Sequence, residues 1–229
     1  MGNKKTFVYQ PPEGPLEICY EDRDVLGIVK PSGLLSVPGR TPDKHDSVFT
    51  RIREQFPLAQ MVHRLDMDTS GIILIALRKN AERNLKEQFR NRTVFKLYQA
   101  VVFGKCSDNS FDIESPLAPH PTEKLRHHVV EDGRPSLTKV EVIQENSEVA
   151  LLNVIPMTGR SHQIRVHLDS VGLPIVGDRF YAPESVIKLS PRLLLQAQQV
   201  EFDHPYSGER IKICAPTDLM NEYEALIKK

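Results

Sequence analysis

The sequence has few cysteines, and their placement limits the kinds of site that it can hold. Cys19, Cys106 and Cys214 lie far apart in the 229 residues, and no Cys-x-x-Cys pair occurs. A scattered, odd-numbered set indicates reduced thiols and argues against a disulfide framework or a zinc site. We therefore expect a protein of the cytoplasm without a metal site.

Long apolar runs and a net charge are also lacking. No segment is long and apolar enough to span a membrane, and residues 1–15 lack the apolar core of a signal peptide. The 30 Lys and Arg balance the 30 Asp and Glu, which argues mildly against a nucleic-acid partner, because such proteins are often basic. A neutral total can nevertheless conceal a basic cleft and an acidic back.

Hairpins alternate irregularly with isolated helices along the chain. Strands are predicted over residues 16–20, 25–30, 72–77, 93–103, 138–145, 149–155, 193–202 and 210–214. One helix is predicted between an N-cap at Asp46 and Pro57, and others over 80–92 and over 161–171, with Gly172 as a left-handed cap. A last helix is predicted to follow an N-cap at Thr217 and to end at Ile227. Because regular βα alternation is missing, we expect an α+β fold with a mixed, mostly antiparallel central sheet and flanking helices.

Two parts of unequal size are predicted. Residues 1–15 are polar and rich in proline and glycine, which is typical of a flexible N-terminal tail. No internal repeat or low-complexity linker interrupts residues 16–229, so these residues are predicted to form a single domain. Within it, residues 104–137 are polar and are expected to be irregular.

The densest polar cluster lies in a loop ahead of a buried strand. It consists of HRLD (63–66) followed by DTSG (68–71), and the run at 72–77 is apolar throughout. Loops on such scaffolding often carry function, but Asp and Ser also serve simply to satisfy backbone donors in turns. Spacing alone leaves both interpretations open.

A second cluster, TGRSHQIR (158–165), opens a predicted helix. On that helix His162 and Arg165 would share a face, whereas His167 would point roughly 140° away from His162. This is poor geometry for a two-histidine metal site, so both histidines are interpreted as ordinary satisfied imidazoles. Arg165 has apolar neighbours and needs an anion. Tyr98, in a predicted strand, is compatible with ordinary strand packing.

Taken together, these clusters resemble the motifs of the RluA family of pseudouridine synthases. The matching blocks, in the family's order and spacing, are HRLDMDTSGIILIAL (63–77), FKLYQAVVFG (95–104), PMTGRSHQIRVHL (156–168) and PIVGDRFY (174–181). The resemblance extends from about residue 16 to residue 216. KPSGLLSVPGR (30–40) and PRLLLQA (191–197) are similar in detail to the member that modifies both a tRNA anticodon stem-loop and a 23S rRNA hairpin.

Two features differ from the common family pattern. Many relatives carry an N-terminal S4 RNA-binding module, which is not expected here, because the first strand is predicted to begin at residue 16. Gln196 stands where the family usually has histidine in a Leu-His-Ala stretch, which bears on the exact targets and not on the reaction. A single RNA target is therefore kept as the alternative to two.

The resemblance implies a reaction that detaches uracil from the ribose, rotates it and rejoins it through C5, with no cofactor. Asp66 is then the catalytic carboxylate and Arg165 its ionic partner. Tyr98 is expected to stack on a flipped uridine, Arg64 to fill the vacated space, and one leucine of residues 193–195 to pack on the other side of the base. Whether Asp66 adds to C1′, adds to C6 or removes the C2′ proton stays open.

Structured RNA is accordingly the expected partner, and a monomer is the simplest oligomeric state. We expect the basic side chains of the 80–92 helix, together with Lys124 and Arg126, to contact phosphates. The alternative is that they form an ordinary solvated helix face. A non-catalytic RNA-binding protein is disfavoured because Asp66 is present. A hydrolase using Ser70 with His63 or His162 is disfavoured because no Gly-x-Ser-x-Gly elbow surrounds the serine.

Overall fold

A ten-stranded mixed sheet runs through the computed structural model, which describes residues 8–228. The strands are β1 (Glu17–Glu21), β2 (Val25–Lys30), β3 (Gln60–Met61), β4 (Ser70–Ala76), β5 (Phe95–Phe103), β6 (Ser110–Glu114), β7 (Leu117–Pro119), β8 (His127–Val129), β9 (Leu137–Glu145), β10 (Val149–Pro156), β11 (Leu195–Asp203) and β12 (Arg210–Cys214). The sheet order is β1-β2-β4-β11-β5-β10-β9-β6, with β12 on β11 and β3 on β4. Within residues 8–228, β4 and β11 form the one parallel pair, and β7 and β8 form a separate ribbon.

Helices cover both faces of this sheet. They are α1 (Val48–Gln55), α2 (Lys79–Asn91), α3 (Gln163–Ser170), α4 (Glu184–Ile187) and α5 (Met220–Ile227). Alternate residues of β4 pack under α2 and under α1, which explains why its sequence is apolar throughout. Alternate residues of β10 pack in the same way under α3 and α5. The predicted α+β class is confirmed, and among the described helices none is long and apolar enough to cross a membrane.

The ends of two helices differ from the prediction. Ser47, and not Asp46, caps α1: its hydroxyl accepts a hydrogen bond from the Thr50 N–H, and the Thr50 hydroxyl accepts one from the Ser47 N–H. Asp46 instead forms an ion pair with Arg51 at 2.7 Å. α5 begins at Met220 with Leu219 at its N-cap position, so the predicted N-cap at Thr217 was wrong. The predicted left-handed Gly172 after α3 is confirmed, with φ +77°.

Residues 104–137 are more regular than predicted, because they contain β6, β7 and β8. β6 extends the edge of the sheet by pairing with β9. Only Ile113 of its five residues is buried, so its sequence is too polar to indicate a strand.

The predicted flexible tail falls partly outside the described residues, since residues 1–7 are not described. Residues 8–15 form no helix or strand, but they are held against α1. The buried Tyr9 hydroxyl donates to the Asp46 carbonyl and accepts from the Leu35 N–H, and Arg51 donates to two carbonyls of residues 12–14. Side chains far along the sequence thus satisfy part of the backbone of residues 8–15, and the flexibility of the tail stays a prediction.

Two glycines permit close backbone approaches near the site. Gly71 has φ +104° and pairs with Ala197, whose carbonyl oxygen would lie 2.2 Å from an added Cβ. Gly177 has φ +77°, and an added Cβ there would lie 1.9 Å from a neighbouring carbonyl oxygen. Any other side chain would be strained at both positions. Gly71 thereby fixes the loop that carries Asp66 against β11, and Gly177 fixes the backbone just before Asp178.

Candidate active site

The four residues singled out in the sequence line one cavity of about 770 Å³. Asp66 and Arg64 reach it from the loop between β3 and β4, Tyr98 from β5, and Arg165 from α3. Pockets for small ligands commonly measure about 300–1,000 Å³. The cavity is thus large enough to receive a single nucleotide.

The wall of this cavity is basic although the chain is neutral overall. One carboxylate, Asp66, faces six cationic side chains, those of Arg64, Arg90, Arg92, Lys96, Arg160 and Arg165. The balanced composition therefore conceals a basic cleft, which favours a polyanionic substrate.

The predicted phosphate-binding surface coincides with the cavity only at the end of α2. Arg90 and Arg92 line the wall. The remaining predicted cations lie outside it: Arg83, Lys86, Lys124 and Arg126. Only the last turn of the helix is thus aimed at the site, and Arg83 belongs to its exposed face.

Arg165 has the anion that its apolar surroundings require, in the form of two carboxylates. Its Nε and Nη2 donate to Asp178 at 2.8 and 2.7 Å, and its Nη1 lies 3.4 Å from Asp66 Oδ2. The side chains of Arg165 and Asp178 are 2% and 0% exposed, whereas that of Asp66 is 29% exposed. Burial opposes the charge of Arg165, but the hydrogen bonds and charge of Asp178, assisted by Asp66, raise its pKa. The arginine is a permanent cation beside Asp66.

Asp178 supports the candidate site through Arg165, and the sequence did not reveal it. Besides binding Arg165, its Oδ1 accepts hydrogen bonds from the N–H groups of Phe180 and Tyr181. It therefore fixes both the guanidinium and the segment that follows Gly177. A carboxylate between Gly177 and Arg179 in an otherwise apolar stretch was the available signal, but nothing in the spacing linked it to Arg165.

A buried lysine supports the loop that carries Asp66. Lys30 is 0% exposed, and its Nζ donates to the carbonyls of Pro31, Leu34 and Met67 at 2.7–2.9 Å. Burial lowers its pKa to about 7, against the opposing charges of Asp68 and Asp66. The KPSGLLS segment (30–36) thus underpins the HRLDMD loop (63–68).

Tyr98 lies at the centre of the sheet, paired with Val154 on β10 and Ala197 on β11. Burial and the charge of Asp66 both raise the pKa of Tyr98, so its hydroxyl stays protonated at neutral pH. Of residues 193–195, Leu195 lines the cavity together with Tyr98. A planar group inside the cavity could therefore contact both the aromatic ring of Tyr98 and the aliphatic side chain of Leu195.

The hydrolase alternative does not fit the surroundings of Ser70. Its hydroxyl contacts the Leu195 carbonyl, the Gln196 amide oxygen and Arg192, and none of these is a histidine. His63 Nε2 instead accepts a hydrogen bond from the Leu74 N–H at 2.9 Å. Neither residue forms part of a nucleophile–base pair.

We expect His63 to make the protein less stable as the pH falls below 6.5. Burial, together with the positive charge of Lys96, lowers the pKa of His63 to about 3, whereas an unfolded histidine titrates near 6.5. Between these values the unfolded chain binds a proton that the folded chain does not. The free energy of unfolding therefore falls with pH, by at most about 1.4 kcal/mol per unit.

His63→Gln is the matched control, because its amide oxygen can accept the Leu74 N–H without titrating. Between neutral and mildly acidic pH, the free energy of unfolding measured in urea should fall more for the natural protein than for the variant. An equal pH dependence in both proteins would contradict the role given to His63.

His162 and His167 have different surroundings. His167 is buried and satisfied, with Nδ1 2.9 Å from the Thr138 hydroxyl and Nε2 2.9 Å from the Ser115 carbonyl, which confirms that interpretation. His162 lines the cavity, with Nε2 3.7 Å from Asp66 Oδ2. The helical spacing argument missed this because α3 begins only after His162.

Comparison with known protein families identifies the class to which this chain belongs. The family model described as RNA pseudouridylate synthase matches residues 24–170, a span that includes Asp66, Tyr98 and Arg165. The chain belongs to the RNA pseudouridylate synthase family, whose members are isomerases that act on RNA.

Individual relatives agree with this assignment over most of the chain. The Dual-specificity RNA pseudouridine synthase RluA of Escherichia coli (strain K12) is 45% identical over 213 residues, covering 92% of this chain and 97% of the relative. Its namesake in Vibrio parahaemolyticus serotype O3:K6 (strain RIMD 2210633) is 42% identical over 226 residues, covering 96% and 90%. The solved structure of Human RNA Pseudouridylate Synthase Domain Containing 1 is 28% identical, with a TM-score of 0.79 over 95% of this chain and 90% of that one. The RluA-family resemblance is confirmed.

Proposed function

We propose that this chain converts specific loop uridines to pseudouridine in two kinds of RNA, a tRNA anticodon stem-loop and a 23S rRNA hairpin. The observation that carries the proposal is a lone carboxylate, Asp66, in a cavity whose other charged side chains are cations. The names of the Escherichia coli and Vibrio relatives, which describe dual-specificity enzymes, support the choice of two targets.

Gln196 does not weigh against these targets. Its side chain is buried and is engaged with Ser70, Gln198 and the Thr217 carbonyl, and it is not part of the cavity wall. The difference from the family's usual histidine thus lies behind the cavity wall.

Asp66 is proposed to act as an ionised carboxylate on the uridine. The cation of Arg165, 3.4 Å away, stabilises that ionised form, and Asp178 keeps the guanidinium in place. Addition to C1′, addition to C6 and removal of the C2′ proton all require the charged oxygen, so the arrangement suits each of the three routes.

The uridine must leave its stack to reach Asp66, at a cost of a few kcal/mol that is smaller for loop residues than for paired ones. Arg64 is exposed at the cavity and its flat guanidinium is suited to occupy the space that the base leaves. Tyr98 and Leu195 are proposed to hold the flipped base between them.

The test uses purified protein and two transcripts, an anticodon stem-loop RNA and a 23S rRNA hairpin. After incubation, carbodiimide treatment and reverse transcription should reveal stops at one loop uridine in each. Stops in one transcript alone would support the single-target alternative. Binding without stops in either would support a non-catalytic RNA-binding protein.

Arg92→Gln is expected to weaken RNA binding and to reduce its salt dependence. Arg92 lines the cavity wall, and the loss of one phosphate contact lowers the slope of log K against log salt by about 0.7–0.9. Binding measured by fluorescence anisotropy at several salt concentrations checks this. Arg83→Gln, the same change on the exposed face of α2, is the control and should bind as the natural protein does. Equal effects of both changes would contradict the assignment.

We further propose that residues 16–229 act as one catalytic domain, as a monomer in the cytoplasm, where both kinds of RNA reside. The single ten-stranded sheet, which contains both β1 and β12, supports the single domain. Light scattering coupled to size-exclusion chromatography would reveal a stable dimer if one formed.

A further inference from the structure

His162 stands out because its backbone and its ring are both constrained beside Asp66. It precedes α3 with φ +55°, a left-handed conformation that is costly for a residue other than glycine. Its side chain is 14% exposed, and its Nε2 lies 3.7 Å from Asp66 Oδ2. Its Nδ1 lies 2.7 Å from the Tyr181 hydroxyl. Strained residues of this kind concentrate at functional sites.

The hydrogen bonds around Tyr181 favour one of the two ring nitrogens of His162 as the site of the proton. The Tyr181 hydroxyl accepts the His127 backbone N–H at 3.0 Å, so its own proton is free to point at His162 Nδ1. Burial raises the pKa of Tyr181 to about 12, so that proton is retained at neutral pH. Nδ1 is then an acceptor, and a neutral His162 must carry its proton on Nε2, the nitrogen that faces Asp66.

The charged and titratable groups around the ring are consistent with a neutral imidazole. Asp66 faces it from the loop before β4, Arg165 from α3, His127 from β8, and Asp178 and Tyr181 from the segment after α3. Burial lowers the pKa of His162, and the charge of Arg165 acts in the same direction against the two carboxylates.

Both polar partners of Asp66 approach the same oxygen. The nearest nitrogens of Arg165 and His162, Nη1 and Nε2, lie 3.4 and 3.7 Å from Oδ2, and the hydrogen bond that Arg165 donates to Asp66 goes to Oδ2. We infer that His162 is a positioning residue: with Arg165 it anchors Oδ2 of Asp66, so that Oδ1 is the oxygen presented to the uridine. The inference rests on the proposed role of Asp66. A separation of 3.7 Å is longer than a hydrogen bond, and such contacts commonly tighten when substrate binds.

The tautomer can be tested without measuring activity. Nitrogen NMR of ¹⁵N-histidine-labelled protein distinguishes the two ring nitrogens, and the His162 signals are identified by their loss in His162→Asn. We expect the Nε2–H form in the free protein and a mixture of forms in Tyr181→Phe, which removes the donor to Nδ1. An Nδ1–H form in the natural protein would overturn the inference, whatever the outcome of the activity assays.

Kinetics test the positioning role itself. Asparagine tolerates the left-handed backbone but is too short to reach Asp66, so His162→Asn should fold and lose on the order of 10- to 100-fold in kcat, with KM little changed. His162→Gln, whose amide N–H can approach the position of Nε2, should recover much of that loss. Equal rates for the natural protein and a folded His162→Asn would overturn the inference, and so would a glutamine variant as slow as the asparagine variant. Should Asp66→Asn prove active, the proposed role of Asp66 and the positioning role of His162 both fail, while the tautomer result still stands.

Discussion

Asp66→Asn is expected to abolish pseudouridine formation while leaving RNA binding in place. The amide has nearly the shape of the carboxylate but lacks its charge, so it can neither add to C1′ or C6 nor remove the C2′ proton. Loss of a group that takes part in the covalent chemistry lowers kcat by on the order of 10⁴-fold or more. Tritium release from [5-³H]uridine-labelled RNA measures the reaction, and fluorescence anisotropy measures the binding.

Asp68→Asn is the matched control, because it makes the same change two residues along the same loop. Asp68 is paired with Arg179 and does not line the cavity. Its substitution should leave most of the turnover intact. Substantial turnover by Asp66→Asn, or an equal loss in both variants, would remove Asp66 from the proposed chemistry.

Arg165→Met is expected to slow the reaction greatly and also to destabilise the fold. The substitution removes the cation beside Asp66, and it leaves Asp178, whose side chain is 0% exposed, without its partner. An unpaired buried charge of this kind costs about 3–5 kcal/mol. Single-turnover kinetics and urea unfolding measure the two effects separately.

The double substitution Arg165→Met with Asp178→Asn separates catalysis from stability. Removing the stranded carboxylate should restore part of the free energy of unfolding, but the rate should stay low because Asp66 still lacks its cation. If the single or the double variant folds and reacts at a nearly normal rate, the ion pair between Arg165 and Asp66 contributes little to catalysis.

The sequence predicted the central elements of the fold well, because their signals are local. The apolar run of β4 reflects burial on both faces, and the bounds of β2 and β12 agree with the prediction. β6 was missed because it is an edge strand with a single buried residue. The Ser47 cap was missed because Asp46 and Ser47 are both good N-cap residues, and only the ion pair of Asp46 with Arg51 distinguishes them.

The site was predictable as a set of motif residues, but not as a network. Asp66, Tyr98 and Arg165 were identified by family resemblance, and they line one cavity. Asp178 and Lys30 were not identified, because their importance depends on partners distant in sequence, such as the Met67 carbonyl 37 residues from Lys30. His162 was set aside by a helical spacing argument that does not apply to a residue outside the helix. These assignments depend on which side chains are buried and on which partners they contact, and both are properties of the folded chain.

The parallel pairing of β4 with β11 has a consequence for how the protein matures during synthesis. It joins Ser70 and Gly71 to residues more than 120 positions later, and contacts of such long sequence separation form late in folding. Asp66, Tyr98 and Arg165 all emerge from the ribosome before Leu195, which completes the cavity wall. A growing chain therefore displays the reactive motifs before it has a pocket to hold a base. Its activity toward RNA should arise only once β11 (Leu195–Asp203) has been added.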